Sequence, residues 1–338
     1  KFKGNSRRYS LTTQSKVSLC GTLGCLTVAV FLRRVSHIAT SFFGRVTFFL
    51  TLSALCHQAI FAFVVAPTLL FEWEYLLARS RSVYLAITLE CLYECVDFCR
   101  VLLAANRFVI IYFPLRVAIG WPSEWKRLLL LCLLSLPLFG AFVLQAYIYF
   151  IRDCDFYLDR ASWAFVFSER EVCIQLRFYA EFIRFLAMLI ADIMLDVLSF
   201  VRIQQHRISM RSSITAQPQQ NHSRSKDVQM LYQACAQTCL FAIDITCAFI
   251  LVPLLRPGQW LTFALATLAW LCSVGGDSIA ILLCNSELRR SVARTIPILR
   301  SSCRSARARI DATVGSISLS LFNRATTGSS EAVGGRPH

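Results

Sequence analysis

The sequence predicts an all-α membrane protein: a seven-transmembrane helix bundle with its N-terminus outside and its C-terminus cytoplasmic. Three observations lead there. The 338 residues are 56% hydrophobic and 16% charged, whereas an ordinary soluble domain spends about a quarter of its positions on charge. The apolar residues come in long blocks rather than short amphipathic stripes, which suits lipid as the solvent. Lysine and arginine are shared unequally by the segments between those blocks. A net charge of +15 in a soluble chain would suggest nucleic acid. Here the positive-inside bias accounts for it, and no nucleic-acid partner is expected.

A crossing helix needs roughly 20 mostly apolar residues. Seven stretches meet or approach that length: 17–32, 43–70, 83–113, 128–150, 176–201, 231–255 and 260–284. Together they make a seven-span domain over 1–286. The first is short and holds Gly21 and Gly24. Several of the others exceed the bilayer thickness and should tilt or extend into water. Closed helices are expected because lipid offers backbone groups no partners. With the N-terminus outside, and the span-edge residues Arg45 and Arg177 counted with their adjoining segments, twenty lysines and arginines fall on cytoplasmic segments against twelve on outer ones. Trp73, Trp121, Trp125, Trp163 and Trp260 lie in or near the predicted loops, where amphipathic rings prefer to sit. The sequon at Asn221 falls in the cytosol on this topology and should carry no glycan. The chain starts at Lys1 rather than Met, so a trimmed start is expected.

The inner loop from Arg202 to Asp227 is polar, basic and without a helical stripe. Beyond the seventh span, residues 287–338 are expected to form a short membrane-surface helix and a disordered basic tail. Leu288, Val292 and Ile296 recur at spacing four, as on a helix lying on the inner leaflet with its arginines on anionic lipid. Pro297 should end that helix, and Cys303 is a candidate palmitoyl site.

Twelve of the fifteen cysteines fall in predicted spans, where a thiol behaves as a small, soft apolar group. Cys154 and Cys173 fall in one outer loop, where the environment is oxidising. They can pair with each other, the favoured arrangement, or one can reach Cys91 near the outer part of the third span. Spacing does not choose between these. No zinc-type cysteine pattern occurs, and His37, His57, His206, His222 and His338 have no metal-ligand spacing. No metal and no cofactor are expected.

Ionisable residues at bilayer depth cost roughly 2.5–3.5 kcal/mol each, so they normally face a bundle interior. The third span carries Glu90, Glu94, Asp97 and Arg100, on one face about 120° wide at 100° per residue. Asp97 and Arg100 can compensate each other, or the face can floor a ligand cavity to which Tyr93 adds a phenol. Glu181 and Arg184 in the fifth span form either an i, i+3 ion pair or another wall of that cavity. Asp192 and Asp196 lie in the inner half of the same span, where they can partner basic residues that move. Asp244 and Asp277 fall in the sixth and seventh spans, and Trp270 lies inside the seventh. The candidate pocket is therefore Glu90, Tyr93, Glu94, Asp97, Arg100, Glu181, Arg184, Asp244 and Trp270. Its acidic excess does not by itself name a cationic ligand.

The stretch LLAANRFVIIYFPL, residues 102–115, places Arg107 about 10 Å below Arg100 at 1.5 Å per residue, at the cytosolic boundary. There it either snorkels to headgroups or acts as a switch. Pro114 follows about two turns later, where the chain can leave the helix.

Seven helices ending the third with Asn106-Arg107-Phe108 look like a G-protein-coupled receptor. NRFVIIYFPL matches the frame of the rhodopsin-like Asp-Arg-Tyr motif, with Pro114 at the same offset. DSIAILLCNSELRR keeps the spacing of that family's seventh-helix motif, although Asp277 and Ser278 stand where it usually has Asn-Pro. The second span has no Asp and the sixth lacks Cys-Trp-x-Pro. A closer resemblance, spread over nearly the whole chain, is to the nematode serpentine chemoreceptors of class x (Srx). SFFGRVTFFLTLSALCHQAI, with Pro67 after it, is similar to the second helix of that class. CDFYLDRASWAFVFSEREVC is similar to its outer Cys-to-Cys loop. DVQMLYQACAQ and WLCSVGGDSIAILLCNSELRR are similar to its sixth and seventh helices. Cys25 stands where an asparagine is expected, which leaves the contact between the first and seventh spans without its amide.

The resemblance implies a chemosensory receptor in the plasma membrane, in a sensory-neuron cilium. A small or pheromone-like external molecule would bind among the helices, and a heterotrimeric G protein would couple inside. Asn106, Arg107, Phe108, Pro114, Asp277 and Asn285 are the candidate coupling and switch residues. The rival class is a transporter or channel using the intramembrane carboxylates, although no internal repeat or pair of broken helices appears. An enzyme is not expected, since no nucleophile–base constellation or phosphate loop occurs.

Overall fold

The computed structural model describes residues 2–34, 41–113, 132, 135, 139–159, 162–168, 170–211, 219–255 and 258–295. They are mostly helical, as apolar blocks that must close their backbone hydrogen bonds locally dictate. The long helices are α1 (Phe2–Arg34), α2 (Phe42–Phe71), α3 (Arg79–Tyr112), α4 (Phe139–Ile151), α5 (171–211), α6 (219–255) and α7 (259–284). A hairpin of β1 (Phe156–Asp159) and β2 (Ala164–Phe167) follows α4, and α8 is Ser286–Thr295. The described residues fall into two compact units that divide after Asn285.

Four helices among the described residues are long and apolar enough to cross a membrane by length and composition: Thr12–Arg34, Phe42–Phe71, Gln229–Leu255 and Trp260–Cys284. Helices α3 and α5 have the length but carry ionisable residues at several interior positions. The fourth expected span is described only from Phe139, where it forms the shorter apolar helix Phe139–Ile151. Pro114 and most of 114–138 lie outside the described residues, as do 35–40, 212–218 and everything beyond Thr295.

Within the first unit, α1 packs on α2 and α7, α2 on α3 and α7, α3 on α5, α5 on α6, and α6 on α7. This closed ring puts one face of every member inside. Close approach of α1 and α7 depends on glycine. A Cβ at Gly21 would lie 2.8 Å from the Gln58 side chain, and one at Gly275 would lie 3.4 Å from the Gly21 Cα. Small residues let helix backbones meet in this way. Gln58 then bridges α2 to α7, its Nε2 donating to the Leu271 carbonyl at 2.7 Å. Ser278 Oγ donates to Cys25 Sγ at 3.1 Å, so a thiol takes up the α1–α7 contact expected of an amide.

Helix α2 starts at Ser41, whose side chain accepts from the Gly44 N–H at 3.0 Å, a capping bond that satisfies one of the free N-terminal donors. It ends at Glu72 in the left-handed conformation (φ 53°), with the Trp73 N–H donating to the Thr68 carbonyl. That is the closure a helix C-terminus uses to pair its last carbonyls.

Several helices contain a widened π-type turn: Phe61–Val65 in α2, Arg177–Phe182 in α5, Thr246–Leu251 in α6 and Phe263–Leu268 in α7. Two of these precede a proline, Pro67 and Pro253. A proline has no N–H to offer and its ring crowds the carbonyl four residues back, so the turn before it opens. Those of α5 and α7 have no proline to explain them, nor does the widened turn Tyr147–Ile151 in α4.

The hairpin pairs Phe156 with Phe167 and Leu158 with Phe165, which puts four large apolar side chains on one face. Its turn is tied by Asp159, whose carboxylate accepts from both the N–H and the hydroxyl of Ser162 at 2.7 Å. A disulfide joins Cys154 to Cys173, anchoring both ends of the hairpin between α4 and α5. Its apolar face lies on α3 and the widened turn of α7.

In the second unit, Leu288 and Val292 share one face of α8 and are buried; Ile296 and the residues after it lie outside the described residues.

Candidate functional site

A cavity of about 60 Å³ lies beneath the hairpin, between α3, α5, α6 and α7. Each helix supplies a wall. Glu90 and Tyr93 come from α3, Arg177, Glu181 and Phe185 from α5, Asp244 and Phe249 from α6, and Thr267 and Trp270 from α7. The roof is Phe156, Phe165 and Phe167 of the hairpin. The widened turns of α5, α6 and α7 all contribute lining residues. Such turns break the ordinary 3.6-residue phase and recur at functional sites.

Trp270 is the hub of this end. Its ring lies 4.7 Å from His57, 5.5 Å from Phe61 and 5.6 Å from Tyr93. It therefore ties its own helix, α7, to α2 and α3 and meets the hairpin through Phe165 at 6.3 Å. Tyr93 crosses to α6, its hydroxyl donating to Asp244 Oδ2 at 2.7 Å.

Directly behind the cavity wall two buried clusters hold the helices together. Glu94 is ion-paired with Arg184 of α5 and accepts a hydrogen bond from Gln145 Nε2 of α4 at 3.1 Å. Arg100 donates through Nη1 to Asp97 at 2.5 Å and through Nε to Asp277 of α7 at 2.8 Å. Its Nη2 reaches Ser273 Oγ at 3.3 Å, and the guanidinium lies 5.0 Å from the Phe241 ring of α6. A buried charge is tolerated when it is paired and its donors are used, and Arg100 meets both conditions.

Toward the opposite end of α3, Arg107 forms an ion pair with Asp196 of α5 at 3.0 Å. Asp192, one turn before Asp196, accepts from Thr238 Oγ1 of α6 at 2.8 Å. Tyr112 donates to the Leu198 carbonyl at 3.2 Å. Asn106 is half-buried beside Arg107, and Phe108 stacks on Tyr112 at 4.4 Å. Asn285 ends α7, its N–H donating to the Ile281 carbonyl.

The structure thus divides the sequence-derived pocket set. Glu90, Tyr93, Glu181, Asp244 and Trp270 line the cavity, whereas Glu94, Asp97, Arg100 and Arg184 do not. Those four spend their charges on one another and on Asp277. Arg184 pairs across to Glu94 rather than with Glu181 three residues before it. Asp277, grouped with the coupling residues, sits with Arg100 instead of beside Arg107. Sequence reasoning missed Arg177, Gln145, Phe185, Phe249 and the phenylalanines of the hairpin. Arg177 falls at the edge of its span, where it reads as a boundary charge. The aromatic residues carry no signal that separates a cavity wall from ordinary packing.

The described residues thus form a helical bundle with a disulfide-closed hairpin over a cavity at one end, and a buried ion-paired arginine toward the other end of α3. The family model described as "Serpentine type 7TM GPCR chemoreceptor Srx" matches residues 16–285, and the chain belongs to that family. It is similar to "Serpentine receptor class X 45" of Caenorhabditis elegans, with 24% identity over 290 residues, covering 82% of this chain and 77% of that one. The family is one of multi-pass membrane chemoreceptors rather than enzymes.

Proposed function

We propose that this chain crosses the plasma membrane seven times, with its N-terminus outside and its C-terminus in the cytoplasm. On that reading it binds a small external molecule and activates a heterotrimeric G protein. The molecule, pheromone-like or otherwise, occupies the cavity under the hairpin. Glu90, Tyr93, Glu181, Asp244 and Trp270 contact it, and Glu94, Asp97, Arg100 and Arg184 stand behind them. The disulfide-closed hairpin suits the oxidising outer face, and the lysine and arginine bias suits the reverse for the other end. Asn106, Arg107, Phe108, Pro114 and Asn285 act in G-protein coupling. Asp277 acts at a distance through Arg100. Exposed Arg290 of α8 and the basic tail lie against anionic lipid, whereas Arg289 is buried. The cell is a sensory neuron, with the receptor in its cilium.

One observation carries this reading: the same two helices, α3 and α5, form the cavity at one end and the Arg107–Asp196 pair at the other. Glu90 and Arg107 are 17 residues apart, or about 25 Å at 1.5 Å per residue. A ligand that prefers one spacing of α3 against α5 therefore shifts the balance between paired and unpaired Arg107. The test is guanine-nucleotide exchange on a G protein, driven by whichever odorants in a panel activate the intact receptor. Arg107→Ala at normal surface level is expected to abolish exchange while leaving ligand-induced thermal stabilisation in place. A full exchange response from that variant overturns the assignment, and uptake or current without G protein overturns the receptor reading.

A further inference from the structure

We propose that the cavity is built for a compact organic cation, a protonated or quaternary amine. The inference rests on the reading of this cavity as the ligand site and names the ligand class it takes. Three observations support it.

The first is the balance of formal charge. Glu90, Glu181 and Asp244 face the cavity from three different helices, and among the described residues the one cationic side chain in its wall is Arg177. The neighbouring arginines are already engaged, Arg184 by Glu94 and Arg100 by Asp97 with Asp277. The wall itself therefore carries three carboxyl groups to one guanidinium, and neither Arg184 nor Arg100 lines the cavity. A buried carboxylate without a counter-ion is costly, so a bound cation is the species whose entry relieves most.

The second is the state of Glu181. It is 2% exposed, yet its Oε1 meets no hydrogen-bond donor among the described residues. Asp244, by contrast, accepts from Tyr93. Burial of an acceptor without a donor is uncommon enough to require a reason. An ammonium N–H supplies the missing donor, whereas a quaternary amine, which has no N–H, offers the carboxylate its charge alone.

The third is the character of the remaining wall, which is aromatic. Arg177 shows that these rings accept a cation: its guanidinium lies 5.0 Å from both Phe167 and Phe249. The faces of Tyr93, Phe185 and Trp270 complete the enclosure. Ring quadrupoles attract ammonium groups most strongly where water is excluded. An anion would meet the three carboxylates, and a neutral ligand would leave the charge deficit in place. The volume admits a ligand on the order of five heavy atoms, at the ~12 Å³ a water-sized occupant needs.

The test uses the full-length receptor in lipid nanodiscs and three probes on one carbon skeleton: isobutylamine, isobutanol and isobutyrate, with tetramethylammonium as a second cation of matching size. Thermal unfolding is read against probe concentration. The cations are expected to raise the melting temperature and the other two to leave it unchanged. Glu181→Gln should require at least about tenfold more amine for the same shift, with a resting melting temperature equal to or above that of the parent. Stabilisation by the alcohol or the acid equal to that by the amines overturns the inference while leaving the receptor reading intact. A resting melting temperature lowered by Glu181→Gln also overturns it, because Glu181 would then be a structural partner of Arg177. If none of the four probes stabilises the protein, the inference falls. Basal nucleotide exchange on a G protein in the same preparation then decides whether the receptor reading falls with it.

Discussion

Two arginines stand two turns apart on the same face of α3 and are held in opposite ways. Arg100 lies between two carboxylates, Asp97 on its own helix and Asp277 on α7, and adds a serine and an aromatic ring. Arg107 has one carboxylate partner among the described residues, Asp196 on α5. The first arrangement ties three helices at mid-bundle and leaves no low-cost way to break it. The second ties two helices near one end, where a single separation releases the charge. Two like residues at near-equivalent helical phase thus become a structural tie and a candidate latch, and only their neighbours distinguish them.

The largest effect should come from breaking the tie. Arg100→Ala leaves Asp97 and Asp277 buried without a counter-ion, a loss of about 3–5 kcal/mol for a broken buried pair. We expect little folded protein, measured as surface level and as the yield of monodisperse receptor. A variant that reaches the surface normally would remove the distinction between the two arginines. Arg100→Leu with Asp277→Asn should recover part of the loss, since it deletes one of the unpaired charges as well.

Asp196→Asn acts on the latch. It weakens the hold on Arg107 while keeping the side-chain shape, and basal nucleotide exchange should rise about five- to tenfold, the range of a coupling of about 1–1.4 kcal/mol. Surface level should be near that of the parent. Unchanged basal exchange would show that the Arg107–Asp196 pair does not hold the resting arrangement. The smallest effect belongs to Thr238→Val, which removes one hydroxyl bond to Asp192 between α5 and α6. A loss of about 1 kcal/mol should lower the melting temperature by a few degrees and raise basal exchange less than Asp196→Asn does. A larger rise would move the latch from the α3–α5 contact to the α5–α6 contact.

Much of this architecture is legible in the residues, and for simple reasons. Apolar blocks of spanning length give helices in any order of packing. The four ionisable residues from Glu90 to Arg100 recur at helical spacing, so they share a face, and all four are buried. Cys154 and Cys173 are recognisable as the two cysteines of one predicted loop, but spacing does not exclude Cys91; the disulfide shows which pairing the fold brings together. The site is less legible. Glu94, Asp97 and Arg100 share the inward face with Glu90, yet they lie off the cavity wall because cross-helix partners take them up. The i, i+3 spacing of Glu181 and Arg184 points to a pair that does not form. Glu181 lies in a widened turn of α5, and one extra residue in a turn rotates the rest of the helix by about 100°.

What the sequence by itself determined is the class of object: a chain with too much apolar surface and too little charge for water, whose few interior charges must face one another. Hydropathy and periodicity are local, so they can be read from one residue and its near neighbours. The tertiary structure alone decided which charges meet: Arg100 with Asp277, Arg184 with Glu94, and Arg107 with Asp196. Those pairings join residues up to 177 positions apart and depend on helix rotation. Widened turns and glycine contacts reset that rotation by amounts no regular period encodes. The cavity is what remains after the pairing is complete, bounded by carboxyl groups that form no close ion pair among the described residues.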